Sequence, residues 1–217
     1  MTSEPGKRDF WKLFLLIIST MSLTVVLGPM ETALEATLGV NAAQISLIGF
    51  LFLLIAGFVS FFWAFAADKL EKRKILLLIS SFIWSIGALL TIFATGFISL
   101  LIIQCITAVG YAGILPLSIS LIIDLIPPED RTRFLGWLTV GMTLGTGLGI
   151  LIAGTLIDIT SWWVPFLIIS LLGFLSIYRV SLLREPKKGA QEKLYSDIIN
   201  FKMRKEDLKE IFKMKSN

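Results

Sequence analysis

The sequence predicts an all-α membrane protein of six transmembrane helices, arranged as two inverted three-helix repeats. Hydrophobic residues make up 55% of the chain and the mean hydropathy is +0.82, whereas average usage is about 45 to 50% apolar. Six continuous apolar stretches are each long enough to cross a hydrocarbon core of about 30 Å, which takes roughly 20 helical residues. Barrel strands would instead alternate lipid-facing and lumen-facing residues, so helices are expected.

The six predicted spans divide into two blocks of three, separated by the short turn Gly96-Phe97. Consecutive three-helix units lie in opposite orientations, which is the inverted-repeat plan of many secondary transporters. A cytoplasmic tail of residues 1–9 precedes the first span, and a basic tail of residues 184–217 follows the last one. In chain order the spans are 10–30, 42–67, 75–95, 98–126, 134–156 and 162–183.

Basic residues all lie on one side of this topology. The twenty Lys and Arg residues fall in the N-terminal tail, in the second and fourth loops, or from Arg179 onward, whereas the opposite side holds only Glu31, Glu35 and Asp158. Because Lys and Arg are retained in cytoplasmic loops, we expect a multi-pass protein of the cell membrane with both termini cytoplasmic. The first apolar run, at about 20 residues, exceeds the 7 to 15 of a cleaved signal peptide.

The tail of residues 184–217 contains ten basic and six acidic side chains, which account for the net charge of +4. Apolar residues recur in it at helical spacing opposite a row of lysines, the pattern of a helix on an anionic membrane surface. A solvated linker is the alternative. The apolar positions are Leu194, Ile198, Phe201, Leu208 and Phe212, and the lysines are Lys202, Lys205, Lys209 and Lys213.

The second loop, residues 64–74, resembles a motif of the major facilitator superfamily, G-x-x-x-D-R/K-x-G-R/K-R/K. Ala64 and Glu71 stand where the family usually has glycines, and a glycine there takes a positive φ more cheaply. The positions that match are Asp68, Lys69, Lys72 and Arg73.

Three further segments are similar to motifs of the same family. The run from Asp124 to Arg131 looks like D-x-x-P-x-x-x-R, and the glycine-rich segment 141–149 looks like G-x-x-x-G-P-x-x-G with Thr146 for the proline. The segment 162–166 looks like W-R-x-P-F, with Trp163 for the arginine. Within the family, Asp124 to Arg131 and Gly145 to Gly149 most resemble the spinster-like branch.

The resemblance covers residues 10 to about 185, one six-helix half of a family that normally has twelve helices. It implies a transporter that moves a small or amphipathic solute by alternating access. Transporter halves enclose their site between two bundles, so a homodimer or a partner six-helix half is expected. The alternative is a truncated, transport-inactive half that acts as a remnant or an interaction partner.

Charged residues at the predicted cytoplasmic ends suggest a charge latch, made of Asp68, Lys69, Lys72, Arg73, Asp124 and Arg131. Opposite charges near a membrane edge can pair and then exchange partners as a bundle rocks. The alternative is that the basic residues are ordinary topology signals, with two incidental acids beside them.

Two further sets of polar residues are candidates for the substrate path. A polar stripe on the fourth span occupies one arc of about 60°, and interhelical hydrogen bonds worth about 0.6 kcal/mol each are the alternative reading. Two acids, four residues apart, share a face of any outward extension of the first helix, where acids can bind protons or cations or are simply solvated. The stripe is Gln104, Thr107, Tyr111 and Ser118, and the acids are Glu31 and Glu35.

Glycines on the fifth span form a candidate surface for helix packing and flexing. Gly141, Gly145 and Gly149 share one face, on which another helix can approach closely, and Gly147 belongs to the same glycine-rich run. Gly28-Pro29 and Pro116 are expected to kink the first and fourth spans.

Several function classes are excluded by missing motifs. The chain has no histidine, so neither a Ser-His dyad nor an H-E-x-x-H zinc site can form, and no phosphate-cradling G-x-x-x-x-G-K-S/T loop occurs. N-P-A boxes of aquaporins are also absent. We therefore expect no enzyme activity, no cofactor and no metal. The basic residues follow membrane topology, so the expected surroundings are the lipid bilayer and an unknown small solute, with no nucleic acid.

Overall fold

The computed structural model describes residues 5–70, 72–157 and 159–186, and these residues form helices and turns without any strand. The all-α prediction is confirmed. Glu71, Asp158 and the tail from residue 187 onward, with its predicted amphipathic pattern, lie outside the described residues. The helices are α1 (Pro5–Thr24), α2 (Glu31–Leu38), α3 (Ala42–Leu70), α4 (Arg73–Leu90), α5 (Phe97–Leu125), α6 (Pro128–Leu156) and α7 (Val164–Ser181), with one turn of 3₁₀ helix at Thr91–Phe93 after α4.

Within the described ranges, five helices are long and apolar enough to cross a membrane: α3, α4 together with its 3₁₀ turn, α5, α6 and α7. The first helix, α1, has 20 residues but is not among them. Its first turns carry Lys7, Arg8, Asp9 and Lys12, and these charges lower its hydropathy.

The first predicted span ends earlier than expected. Helix α1 stops at Thr24, residues 25–30 form turns, and the separate helix α2 follows. Pro29 has no N–H to donate to the carbonyl of Val25, and its ring crowds that carbonyl, so continuing the α-helix through this point is unfavourable. The expected kink at Gly28-Pro29 is therefore a break, and Glu31 and Glu35 lie on α2 rather than on an extension of the first span.

The middle of the bundle is built from close contacts between α4, α5 and α7. Trp84 of α4 is fully buried. A side chain at Gly110 of α5 would collide with the Trp84 backbone, and one at Gly173 of α7 would collide with the Trp84 ring. Small residues let membrane helices approach in this way. Helix α5 runs without interruption through Pro116, so the expected kink there does not break the helix.

Helix starts follow local sequence signals. The Ser99 hydroxyl accepts hydrogen bonds from the backbone N–H groups of Thr95 and Gly96, at 2.9 and 3.1 Å, and so supports the tight turn before α5. Helix α6 begins at Pro128, where a missing N–H costs nothing, with Glu129 and Asp130 in its first turn. The positive end of the helix dipole stabilises negatively charged side chains in the first turn. The helix α6 can therefore start before the apolar span that is predicted from residue 134.

The packing order leaves two long helices at the periphery. Helix α1 packs on α6 and α7, α3 packs on α5, and α4 packs on both α5 and α7. In the most apolar eighteen-residue window of each helix, only 22% of residues are buried in α3 and in α6, against 50% in α4 and 44% in α5. The long helices α3 and α6 therefore present the largest uncovered surfaces.

Candidate functional site

A buried ion pair joins the start of α4 to the end of α5. The Arg73 guanidinium pairs with the Asp124 carboxylate, and only 7% of Arg73 and 5% of Asp124 is exposed. The same arginine donates to the carbonyl of Ser120 at 3.5 Å. Because burying an unpaired charge is costly, this pair fixes the two helix ends against each other.

The other residues of the predicted charge latch lie at the adjoining helix ends and are less buried than this pair. Asp68, Lys69 and Lys72 are exposed at the end of α3 and in the loop that follows. Arg131 lies in the first turn of α6, and its Nε donates to the carbonyl of Ile126 at 3.3 Å. The four helix ends thus carry charges of both signs at one edge of the bundle.

The predicted polar stripe divides into residues that face a cavity and residues that face a helix. Gln104 is buried, donates to the Thr91 hydroxyl at 3.3 Å, and lines a cavity of about 140 Å³ between α1, α3 and α5. The wall is otherwise mostly apolar and includes Phe52, with Thr24 as a second polar side chain. The cavity therefore combines an apolar lining with two hydrogen-bonding groups.

The remaining stripe residues have different surroundings. Tyr111 is half-buried and packs on Phe52, with 5.2 Å between ring centroids. Thr107 is fully buried, donates to the carbonyl of Ile103 at 2.8 Å, and sits where a side chain at Gly87 of α4 would collide with it. Ser118 is also fully buried. The structure therefore places Gln104 in the cavity wall, whereas Tyr111 contacts the wall residue Phe52 and Thr107 and Ser118 lie in the helix packing.

One glycine face of α6 lies against α1. A side chain at Gly141 would meet the Phe14 ring at 2.7 Å, and one at Gly145 would meet the carbonyl oxygen of Ile18 at 2.5 Å. A side chain at Gly149 would collide with the carbonyl of Ser22. The Ser22 hydroxyl also donates to the carbonyl of Gly145 at 2.9 Å. These three glycines hence allow backbone contact between two long helices.

Gly147, which the sequence placed in the same glycine-rich run, lies on the opposite face of α6. Side chains at Gly136, Gly147 and Gly154 would meet nothing within 4 Å, and all three residues are exposed. We call these three residues the open face. Their spacings of eleven and seven residues are close to three and two helical turns, a signal that the sequence contains but that sequence reasoning missed.

Glu31 and Glu35, the other substrate-path candidates predicted from the sequence, lie on α2. Glu31 is half-buried and Glu35 is exposed, and they flank the buried Leu34 on α2. They are not among the residues that line the cavity beside Gln104. Among the described residues, no group of three His, Cys, Asp or Glu side chains could hold a metal ion.

The chain matches the family model of the Major Facilitator Superfamily over residues 13–215. Similar curated proteins include the uncharacterized MFS-type transporter YhcA of Bacillus subtilis strain 168, 28% identical over 71% of this chain and 28% of YhcA. The hexuronate transporter of the same organism is 26% identical over 73% of this chain and 37% of that transporter.

Among solved structures, the chain is similar to a bacterial homolog of the human lysosomal transporter Spinster in its inward-facing, occupied conformation. The TM-score is 0.76 and the sequence identity 23%, over 88% of this chain and 47% of that one. At this identity the likeness shows the fold. The chain spans less than half the length of each of these relatives. The family resemblance seen in the loop motifs is confirmed, and the chain belongs to the Major Facilitator Superfamily, a family of multi-pass membrane transporters.

Proposed function

We propose that the chain is one six-helix half of a transporter that moves a small or amphipathic solute by alternating access, together with a second six-helix bundle. The second bundle comes from another copy or from a partner half. The observation that carries this proposal is the open face of α6, a row of exposed glycines on a membrane-crossing helix.

Helix α6 carries small residues on two opposite faces, and only one of them is covered. Gly141, Gly145 and Gly149 contact α1, whereas the open face meets nothing. Small residues allow the backbone of a second helix to approach closely and so improve the packing between two helices. They give no comparable advantage against lipid chains. A helix of a second bundle is therefore the occupant that this surface favours.

Helix α3 repeats the pattern. Ser46, Gly57 and Ala64 are exposed and have the same spacings of eleven and seven residues as the open face. In chain order α3 and α6 are the second members of the two proposed three-helix units. This correspondence supports both the inverted repeat and an interface to which α3 and α6 contribute.

We propose that α1 also crosses the membrane, which brings the number of spans from five to six. Its 20 residues extend for about 30 Å at 1.5 Å per residue, and its charges are confined to the first turns. Phe10, Leu13, Leu16 and Ile17 are fully buried, so the helix is part of the bundle. With six spans and the basic residues inside, both termini lie in the cytoplasm, and the host membrane is the cell membrane.

The cavity beside Gln104 is the proposed solute path. Its lining supports a solute with an apolar body and few polar groups, because Gln104 and Thr24 are its hydrogen-bonding side chains. Phe52 is part of the same wall, and its ring packs on Tyr111 of α5. The Arg73–Asp124 pair and its charged neighbours form the proposed latch, whose partners exchange as the two bundles rock.

Alternating access is tested by thiol labelling of Gln104→Cys, in membranes that also contain the partner bundle. The single native cysteine, Cys105, is first replaced by serine so that only the introduced thiol reacts. A membrane-impermeant methanethiosulfonate reagent is applied to sealed vesicles of either orientation. Labelling from both sides is expected, and the two rates change in opposite directions when a transported solute is added. Labelling from one side alone contradicts the proposal.

A further inference from the structure

A second cavity lies at the opposite end of α1 from the helix break, between the first turns of α1 and the carboxyl end of α7. Its volume is about 500 Å³. Four of its lining side chains are cations and one is an acid, so it carries an excess of positive charge. We call this cavity the basic pocket; its charged and aromatic lining residues are Arg8, Asp9, Trp11, Lys12, Arg179 and Arg184.

The acid in this pocket is already engaged. Lys12 Nζ donates to Asp9 Oδ1 at 2.5 Å and to the carbonyl of Leu182 at 3.1 Å. Lys12 thereby caps the negative end of α7, where cations are favoured, and it ties α1 to that end. Asp9 is buried, and Lys12 compensates its negative charge.

The three arginines have no such partner within the described part of the chain. Arg8, Arg179 and Arg184 are exposed, and none of the ion pairs among described residues includes them. Like charges that line one cavity repel each other, and a bound anion relieves that repulsion. Guanidinium groups favour phosphate because their planar donor fork matches its oxygens bidentately.

The pocket also lies at a depth suited to a lipid headgroup. Trp11 is 50% exposed and stands where the charged start of α1 meets its apolar part, and tryptophan prefers this interfacial level of a bilayer. Basic pockets between membrane helices bind phosphate-bearing lipid headgroups. We propose that the basic pocket binds the phosphate group of an anionic phospholipid. This site is separate from the solute path and does not depend on the second bundle.

The test is native mass spectrometry of the purified full chain, with phosphatidylglycerol, phosphatidylcholine and inorganic phosphate as separate probes. The pocket variant is Arg179→Gln/Arg184→Gln. The control, Lys72→Gln/Arg133→Gln, removes the same charge from exposed residues outside the pocket. Every basic residue beyond Arg184 is unchanged in both variants, so their binding to anionic lipid cancels in the comparison. A third variant, Arg8→Gln, removes a cation that α1 contributes to the pocket.

Wild type and control are expected to retain phosphatidylglycerol over phosphatidylcholine, and the pocket variant is expected to bind it about tenfold more weakly. Arg8→Gln weakens retention in the same direction. If inorganic phosphate binds with the same dependence on the arginines and no lipid is retained, the phosphate site stands but its source is a free anion. Equal retention by pocket variant and control overturns the proposal.

Discussion

Arg73 and Asp124 form an ion pair that is almost completely enclosed, although 51 positions separate them in the chain. The carboxylate at the end of α5 compensates a guanidinium that the start of α4 carries into the bundle. A buried pair of this kind contributes little when intact, because desolvation offsets the attraction, but removing one partner leaves a charge without compensation.

Asp124→Asn is expected to lower stability by about 3 kcal/mol or more, because Arg73 then remains buried and charged. The matched control is Asp130→Asn, which removes an acid from the Lys7–Asp130 pair, whose atoms are 2.8 Å apart with about a third of each side chain exposed. The loss for Asp130→Asn should be much smaller, because solvent screens a partly exposed ion pair. Thermal unfolding in mild detergent measures both, and equal losses contradict the assignment.

Gly145→Ala is expected to destabilise the bundle by roughly 1 to 3 kcal/mol, the usual range for overpacking. The added methyl group would lie 2.5 Å from the carbonyl oxygen of Ile18 and 2.7 Å from the Met21 Cβ, so α1 and α6 must separate. Gly147→Ala adds the same methyl group where nothing lies within 4 Å. The unfolding temperature of Gly147→Ala should not fall, and a loss equal to that of Gly145→Ala would show that the packing face is misassigned.

Thiol labelling should separate two residues of the polar stripe. Gln104→Cys lines the cavity and is expected to react, whereas Thr107→Cys is fully buried against α4 and is expected to react at least tenfold more slowly. Both are measured in a Cys105→Ser background with one small reagent. Comparable labelling rates would mean that Thr107 is as accessible as Gln104 and that the whole polar stripe remains a candidate for the solute path.

Asp68→Asn is expected to change the transport cycle with a smaller loss of stability than Asp124→Asn, because the Asp68 side chain is exposed whereas that of Asp124 is buried. The measurement is the labelling rate of Gln104→Cys from the cytoplasmic side, together with the unfolding temperature. Unchanged transport and unchanged accessibility of the inner face would remove Asp68 from the latch.

Helix class was readable from the sequence because a hydrocarbon environment leaves few ways to satisfy the backbone. The glycines at 141, 145 and 149 were readable as one face for the same geometric reason that makes any four-residue repeat a stripe. Helix starts were less readable, since charged residues such as Glu129 and Asp130 extend α6 beyond its apolar part.

Partner choice could not be read from the chain. Asp68 is much closer to Arg73 in sequence, yet Asp124 forms the buried pair, because α4 and α5 pack side by side along their length. The residues of the polar stripe on α5 also differ in their surroundings. Thr107 and Gln104 share an arc of the helix, but Thr107 packs against Gly87 whereas Gln104 lines the cavity. Only the packing of neighbouring helices decides between a cavity and a contact.

The central claim is that a second six-helix bundle covers the open face of α6. The most direct measurement is the mass of the full chain in mild detergent by light scattering, after cross-linking in native membranes, for wild type and for Gly147→Leu. Two bundles per particle are expected for wild type, as a dimer or with a partner half, and fewer for Gly147→Leu because a bulky side chain blocks close approach. A solitary chain of 24.1 kDa in both cases would contradict the claim and favour a transport-inactive half.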